Sequence, residues 1–128
     1  MNSKIKFFIF STLIAIQLTS VAQDDIDFLL SEEQRTDLLD TQRVKLYSDL
    51  AQSYLATDSK KSLEYSQKCR KLAEEIDYPK GKVLAYNDLG KYYMRIAEYD
   101  SSLLYLNKSL SLIDAHSISG AVTYNALG

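Results

Sequence analysis

Apolar side chains recur at spacings of three and four residues from Asp40 onward, which is the period of one face of an α-helix. Short runs of polar or turn-forming residues separate the apolar segments. Four complete segments are seen, spanning Val44–Tyr54, Leu63–Ile76, Val83–Ile96 and Leu103–Ile113. A connection follows at residues 116–119, and a fifth segment begins near Gly120. The pattern predicts an all-α fold.

Residue types between the segments predict where each helix begins. Asp and Ser side chains accept hydrogen bonds from the first free backbone N–H groups of a helix. The predicted caps are Asp40 or Thr41 for the first helix, Asp58 or Ser59 for the second, and Asp100 or Ser101 for the fourth. Between the second and third helices, proline and glycine in Asp77–Gly81 are expected to end one helix and open the next.

The helical segments repeat in sequence as well as in pattern. The run Tyr86–Gly90, which reads YNDLG, reappears 38 residues later as YNALG in Tyr124–Gly128. A weaker copy, YSDLA, lies upstream at Tyr47–Ala51. A period of 38–40 residues that holds two helices predicts stacked helix pairs, in which each pair packs on its neighbours.

The repeated residues resemble the tetratricopeptide repeat. The second unit carries the aromatic-x-x-Leu-Gly-x-x-Tyr pattern and the small-residue helix of that family at Tyr86, Leu89, Gly90, Tyr93, Tyr99, Ser102, Leu106 and Ser109. The first unit matches at Tyr47, Leu50, Ala51, Tyr54, Ser62, Ser66 and Cys69. The resemblance implies an α-solenoid of antiparallel helix pairs, with units at about 41–78 and 79–117 and a partial unit at 118–128.

The N-terminal region has the layout of a secretory signal peptide. Lys4 and Lys6 precede the apolar run Phe7–Leu18, and small residues at Ser20 and Ala22 fit a cut before Gln23. Residues 1–22 are therefore predicted to be a signal peptide, and the mature protein is expected in the periplasm or cell envelope. Residues 23–40 are interpreted as a partly helical lead-in that covers the exposed end of the stack.

Composition and residue spacing point away from catalysis. The net charge of −2 gives no electrostatic signal for nucleic-acid binding. The one cysteine, Cys69, occupies a small-residue position of the repeat, and the one histidine, His116, falls in a predicted connection. No phosphate loop, zinc spacing or nucleophile–base arrangement is present. The sequence therefore predicts no catalytic residue, no metal and no cofactor within these 128 residues.

In tetratricopeptide proteins the first helix of each pair lines a concave groove that binds peptides or protein segments. Transferred by position, the resemblance selects Gln52, Asn87, Lys91, Met94, Arg95 and Asn125, with Lys45, Ser48, Asp49, Leu55 and Asp88 beside them. Asn87, Lys91 and Arg95 are four residues apart and share one helical face. Two cations beside an amide suit a carboxylate or a peptide backbone. The alternative is a solvated polar face without a ligand.

Two functions remain open at this point. The first is an exported interaction module that binds a protein or peptide segment, as the N-terminal part of a longer protein. The second is a periplasmic sensory input region, because the chain resembles the exported N-terminal part of bacterial sensor histidine kinases or regulators; a membrane contact is then expected only through a helix downstream of Gly128. For either function we expect Tyr86, Leu89, Tyr93, Leu103 and Leu106 to be buried together.

Overall fold

The protein folds into helices that pack in chain order. The computed structural model describes the backbone of residues 2–127 and the side chains of residues 2–17 and 22–115. The helices are α1 (Ser3–Glu33), α2 (Asp40–Tyr54), α3 (Ser59–Glu75), α4 (Pro79–Arg95) and α5 (Tyr99–Leu127). No strand occurs within residues 2–127, as the helical periodicity predicted.

Backbone and side-chain contacts fix the direction of each helix. Along α2 and α3, Ser62 contacts Ala51 and Cys69 contacts Val44, so the two helices are antiparallel. In contrast, α2 and α4 run in the same direction. Three pairs of neighbouring residues show this, at separations of 37, 40 and 39 positions: Val44 lies beside Gly81, Ser48 bonds to Asp88, and Ala56, two residues past the end of α2, accepts from Arg95.

The two helix pairs share one set of contacts. The Ser62 hydroxyl donates to the Ala51 carbonyl at 2.7 Å in the first pair, and the Ser102 hydroxyl donates to the Gly90 carbonyl at 2.8 Å in the second. A stacked tyrosine pair follows in each, with ring centroids 5.9 Å apart for Tyr54 and Tyr65. The equivalent distance is 5.6 Å for Tyr93 and Tyr105. The sequence repeat is therefore also a repeat of packing contacts.

Two apolar clusters hold α1 to α4 together. The first joins α1, α2 and α3 through the buried residues Ile26, Leu46, Leu50, Ala51, Tyr54 and Tyr65. The second joins α2, α3 and α4 through Val44, Cys69, Ala73 and Ala85. Because α2 and α3 contribute to both clusters, the first helix pair is the centre of the packed core.

Helix α1 has two halves with different surroundings. Its C-terminal half packs on α2 through Ile26, and Glu33 accepts hydrogen bonds from the Tyr65 hydroxyl at 2.8 Å and from Lys68 at 3.4 Å. Its N-terminal half is exposed, including Phe7, Phe8 and Phe10. By length and composition alone, α1 is apolar enough to cross a membrane, and a signal sequence near the N-terminus has the same character.

The structure corrects several local predictions. The predicted connection at residues 116–119 and a separate fifth repeat helix from Gly120 are not seen, because α5 continues to Leu127. A single glycine costs a helix only about 1 kcal/mol. Helix α2 is capped at Leu39, whose N–H donates to the Gln42 side chain, rather than at Asp40 or Thr41. Helix α5 begins at Tyr99, before Asp100 and Ser101. The Asp58 cap of α3 is confirmed.

Of the five residues that we expected to be buried together, one is fully buried. Leu89 is 1 % exposed, whereas Tyr86, Tyr93 and Leu106 are half-buried. The prediction for Leu103 is wrong, since it is 59 % exposed. The face of α5 that meets α4 is formed by Ser102, Leu106 and Ser109, and Leu103 projects beside this face.

Gly81 also differs from its predicted role. It lies inside α4 and is buried, so it does not end the preceding helix. A Cβ atom at this position would lie 2.6 Å from Tyr78 Cδ1, 2.7 Å from Val44 Cγ1 and 3.0 Å from Ala73 Cβ. The residue is small because α2, α3 and α4 meet at this point.

Candidate functional site

The candidate residues lie mainly on two neighbouring helices. Gln52 belongs to α2, and Asn87, Lys91, Met94 and Arg95 belong to α4. We call the surface that these five residues form the α2–α4 face. Asn125, the sixth candidate, lies on α5 at a position whose side chain is outside the described residues.

Two residues expected to line the surface form its floor instead. Ser48 and Asp88 are 1 % and 4 % exposed, and the Ser48 hydroxyl donates to the Asp88 carboxylate at 2.5 Å. The Gln52 amide donates to the Ser48 oxygen at 3.1 Å. This chain of hydrogen bonds links α2 to α4 and leaves Gln52 exposed at the edge.

Burial raises the pKa of the carboxyl group in this floor. Removal of the Asp88 carboxyl from water raises its pKa to about 6, although the hydrogen bond from Ser48 and the charge of Lys91 oppose the rise. Within the described side chains, Asp88 forms no ion pair. Asp88 is therefore a buried acid that titrates at a mildly acidic pH.

The cations of the face are free of carboxylate partners. Lys91 and Arg95 are exposed, and neither forms an ion pair with any carboxylate that the structure describes. Arg95 Nη2 donates to the Ala56 carbonyl at 3.3 Å, which draws the guanidinium toward the C-terminal end of α2. Lys91 acts on Asp88 through its charge. Both cations therefore keep donors for a ligand.

The same face carries an apolar residue at its end. Met94 is 53 % exposed, one position before Arg95. A flexible thioether next to two cations suits a ligand that presents both an anionic and an apolar group. Asn87 is half-buried, so only part of its amide is available.

Beneath the face, Cys69 is a packed side chain. It is fully buried in the cluster with Val44, Ala73 and Ala85, and its Sγ–H donates to the Val44 carbonyl at 3.3 Å. Burial, with smaller contributions from the charges of Asp88 and Asp49, raises its pKa to about 12. A thiol in this state is not a nucleophile at neutral pH.

Sequence reasoning missed a cleft between α1 and α2. This cleft of about 280 Å³ is lined by Phe28, Leu29, Arg35, Leu38, Lys45 and Asp49, among others. Arg35 is held by Asp37 and Glu32, and Lys45 is held by Asp49, so its charges are already paired. The signal that could have shown it is Phe28, which is 64 % exposed in the lead-in segment.

Across the side chains that the structure describes, no three His, Cys, Asp or Glu residues come together as a metal site. Comparison with known proteins adds no assignment, because no protein-family profile, no curated protein and no solved structure matches this chain.

Proposed function

We propose that this protein is an exported interaction module of the tetratricopeptide-like α-solenoid type, which binds an anionic segment of a protein or peptide on its α2–α4 face. The repeated helix-pair contacts support the solenoid assignment, because stacked helix pairs serve mainly as extended binding surfaces. The buried, inert Cys69 supports a role in binding rather than catalysis.

One observation carries the choice of face. Lys91 and Arg95 lie one helical turn apart on α4, exposed and without a carboxylate partner among the described side chains, beside the exposed residue Gln52 on α2. In the cleft between α1 and α2, by contrast, Arg35 is paired with Asp37 and Lys45 with Asp49. A ligand carboxylate would gain charge-assisted hydrogen bonds from Lys91 and Arg95.

The proposed location follows from α1. Its N-terminal half is apolar and exposed, which fits a segment recognised by the export machinery rather than one that packs in the mature fold. Gln23, the proposed first residue of the mature chain, precedes Ile26, the first buried residue of the core. Removal of residues 1–22 would therefore leave both apolar clusters intact.

A titration with a defined probe tests the proposal. Fluorescein-labelled hexa-aspartate with a free C-terminal carboxylate is added to the mature protein, and binding is measured by fluorescence anisotropy. A hydrogen bond to a charged group contributes about 1.5–3 kcal/mol. We therefore expect Lys91→Ala and Arg95→Ala each to weaken binding about tenfold or more.

Lys71→Ala is the matched control, because Lys71 is also exposed but lies on α3. It should bind the probe as the wild type does. Circular dichroism shows whether each variant keeps its helices. Equal affinity of all three variants, or no binding by the wild type, would contradict the proposed function.

A further inference from the structure

The floor of the α2–α4 face contains a carboxylate that protonation can neutralise. Asp88 is 4 % exposed and accepts a hydrogen bond from Ser48 across the helix contact. Asp49, the equivalent residue of the first unit, is partly exposed and pairs with Lys45 at 2.8 Å. The same repeat position therefore carries a paired surface acid in one unit and, in the other, a buried acid that forms no ion pair with any side chain the structure describes.

Burial favours the neutral form of Asp88, whereas the groups that face it act in both directions. Asp49 on α2 repels a negative charge, Lys91 on α4 attracts one, and Cys69 on α3 is neutral and buried beneath it. Burial outweighs the attraction of Lys91. Hydrogen bonds from Ser48 and Gln52 also favour the ionised form, and burial outweighs them as well.

We propose that the α2–α4 face binds its anionic partner more strongly when the Asp88 carboxyl is protonated, so that the binding site is regulated by pH. The inference rests on the proposed function of this face. Ionised Asp88 repels a ligand carboxylate, because little water screens the two charges. It also neutralises part of the positive charge of Lys91. Protonation from solvent removes the repulsion and leaves the full charge of Lys91 for the ligand.

The coupling works in both directions. If protonation of Asp88 strengthens binding of the ligand, then bound ligand must make Asp88 easier to protonate by the same factor. Binding near pH 6 is therefore accompanied by proton uptake. This reciprocity distinguishes a direct electrostatic link from a general loss of structure in acid.

Binding of labelled hexa-aspartate at about pH 5 and about pH 7.5, at one ionic strength, tests the inference. We expect the wild type to bind about fivefold or more tightly at the lower pH, within the usual range of coupling between sites. Asp88→Asn keeps an acceptor for Ser48 and cannot ionise. The fivefold gain of the wild type should be absent from this variant.

Asp49→Asn is the matched control, because it removes the equivalent acid of the first unit and should keep the pH dependence. His116 is present in every variant, so any contribution of this histidine cancels in the comparison. Equal wild-type affinity at both pH values overturns the pH inference and leaves the proposed function standing. The same pH dependence in Asp88→Asn also overturns it, and absence of binding at both pH values overturns the two together.

Discussion

The Ser102 hydroxyl donates to the Gly90 carbonyl at 2.8 Å, which places the start of α5 directly against the last turns of α4. Ser62 and Ala51 make the same contact in the first pair at 2.7 Å. Both serines are buried, so each hydroxyl satisfies a polar group that has left water. The repeated serine is thus a polar link between two helices in close contact.

The two buried glycines should respond differently to alanine. A Cβ on Gly90 would lie 2.7 Å from Leu106 Cδ2 and 2.8 Å from Leu106 Cγ, so the half-buried side chain of Leu106 is the one group that must shift. A Cβ on Gly81 meets three neighbours within 3.0 Å, including Val44 and Ala73. Alanine gains about 1 kcal/mol of helix propensity at either site. We expect Gly90→Ala to be close to neutral, and Gly81→Ala and Gly90→Leu each to cost about 1–3 kcal/mol in urea unfolding. An unchanged midpoint for Gly90→Leu would rule out close packing there.

Asp88 should make folding stability depend on pH. Its pKa rises from 3.8 in the unfolded chain to about 6 in the folded one, so between these values the folded state binds more protons. Stability therefore falls as pH rises from about 4 to about 6 and stays lower above that range. Asp88→Asn should remove this fall and stabilise the protein at pH 7.5 by up to about 3 kcal/mol. Urea midpoints measured across pH for both proteins test this, and parallel curves would contradict it.

The turn between α4 and α5 holds a strained alanine. Ala97 has φ 62°, and Glu98 N–H returns to the Tyr93 carbonyl at 2.9 Å, the pattern of a helix end in which glycine is preferred. A side chain in this left-handed region costs about 1–2 kcal/mol. Ala97→Gly should raise the free energy of unfolding by about 1 kcal/mol. Ala115→Gly, inside α5, should lower it by a similar amount, and a loss of stability in both variants would show that Ala97 is unstrained.

Apolar residues on α5 should make the protein self-associate. Leu103, Leu110 and Ile113 are each about half exposed or more, and their spacings of seven and three residues place them along one side of the helix. We expect sedimentation of the mature protein to show association at high concentration. Leu110→Gln with Ile113→Gln should yield a monomer of unchanged stability. The Met94→Gln variant, whose substitution lies on the α2–α4 face, should still associate. A wild type that stays monomeric at every concentration would refute the prediction.

The N-terminal half of α1 should be absent from the mature protein. Sequencing of protein recovered from the cell envelope is expected to begin at Gln23. Exposure of Phe7, Phe8 and Phe10 agrees with a segment that adds nothing to the core. Met1 retained on cytoplasmic protein would contradict export.

Sequence periodicity was sufficient for helices α2, α3 and α4 and for the equivalence of the two pairs. It identified Leu89 as buried because that leucine lies at the centre of the apolar face of α4. The left-handed residues Asp77 and Ala97 were missed, because neither is a glycine and the usual sign of such a turn is absent. The continuity of α5 was missed because Gly120 was interpreted as a break.

The sequence predicted the helices on which the candidate residues lie, but it did not predict how deeply each residue is buried. Periodicity cannot tell which polar residue faces a neighbouring helix, so Ser48 and Asp88 were grouped with exposed residues. They are buried because each satisfies the other, and that pairing spans 40 residues of sequence. Lys91 and Arg95 were placed correctly on the surface, since long cationic side chains rarely lose contact with water.

The most direct test of the account is to map a bound ligand by nuclear magnetic resonance. Amide and side-chain signals of the mature protein are followed while hexa-aspartate is added at a pH near 5, where Asp88 is mostly protonated. We expect the largest changes on Gln52, Lys91, Met94 and Arg95. Changes that cluster instead at Phe28, Leu38 and Lys45 would place binding in the α1–α2 cleft and contradict the proposed face.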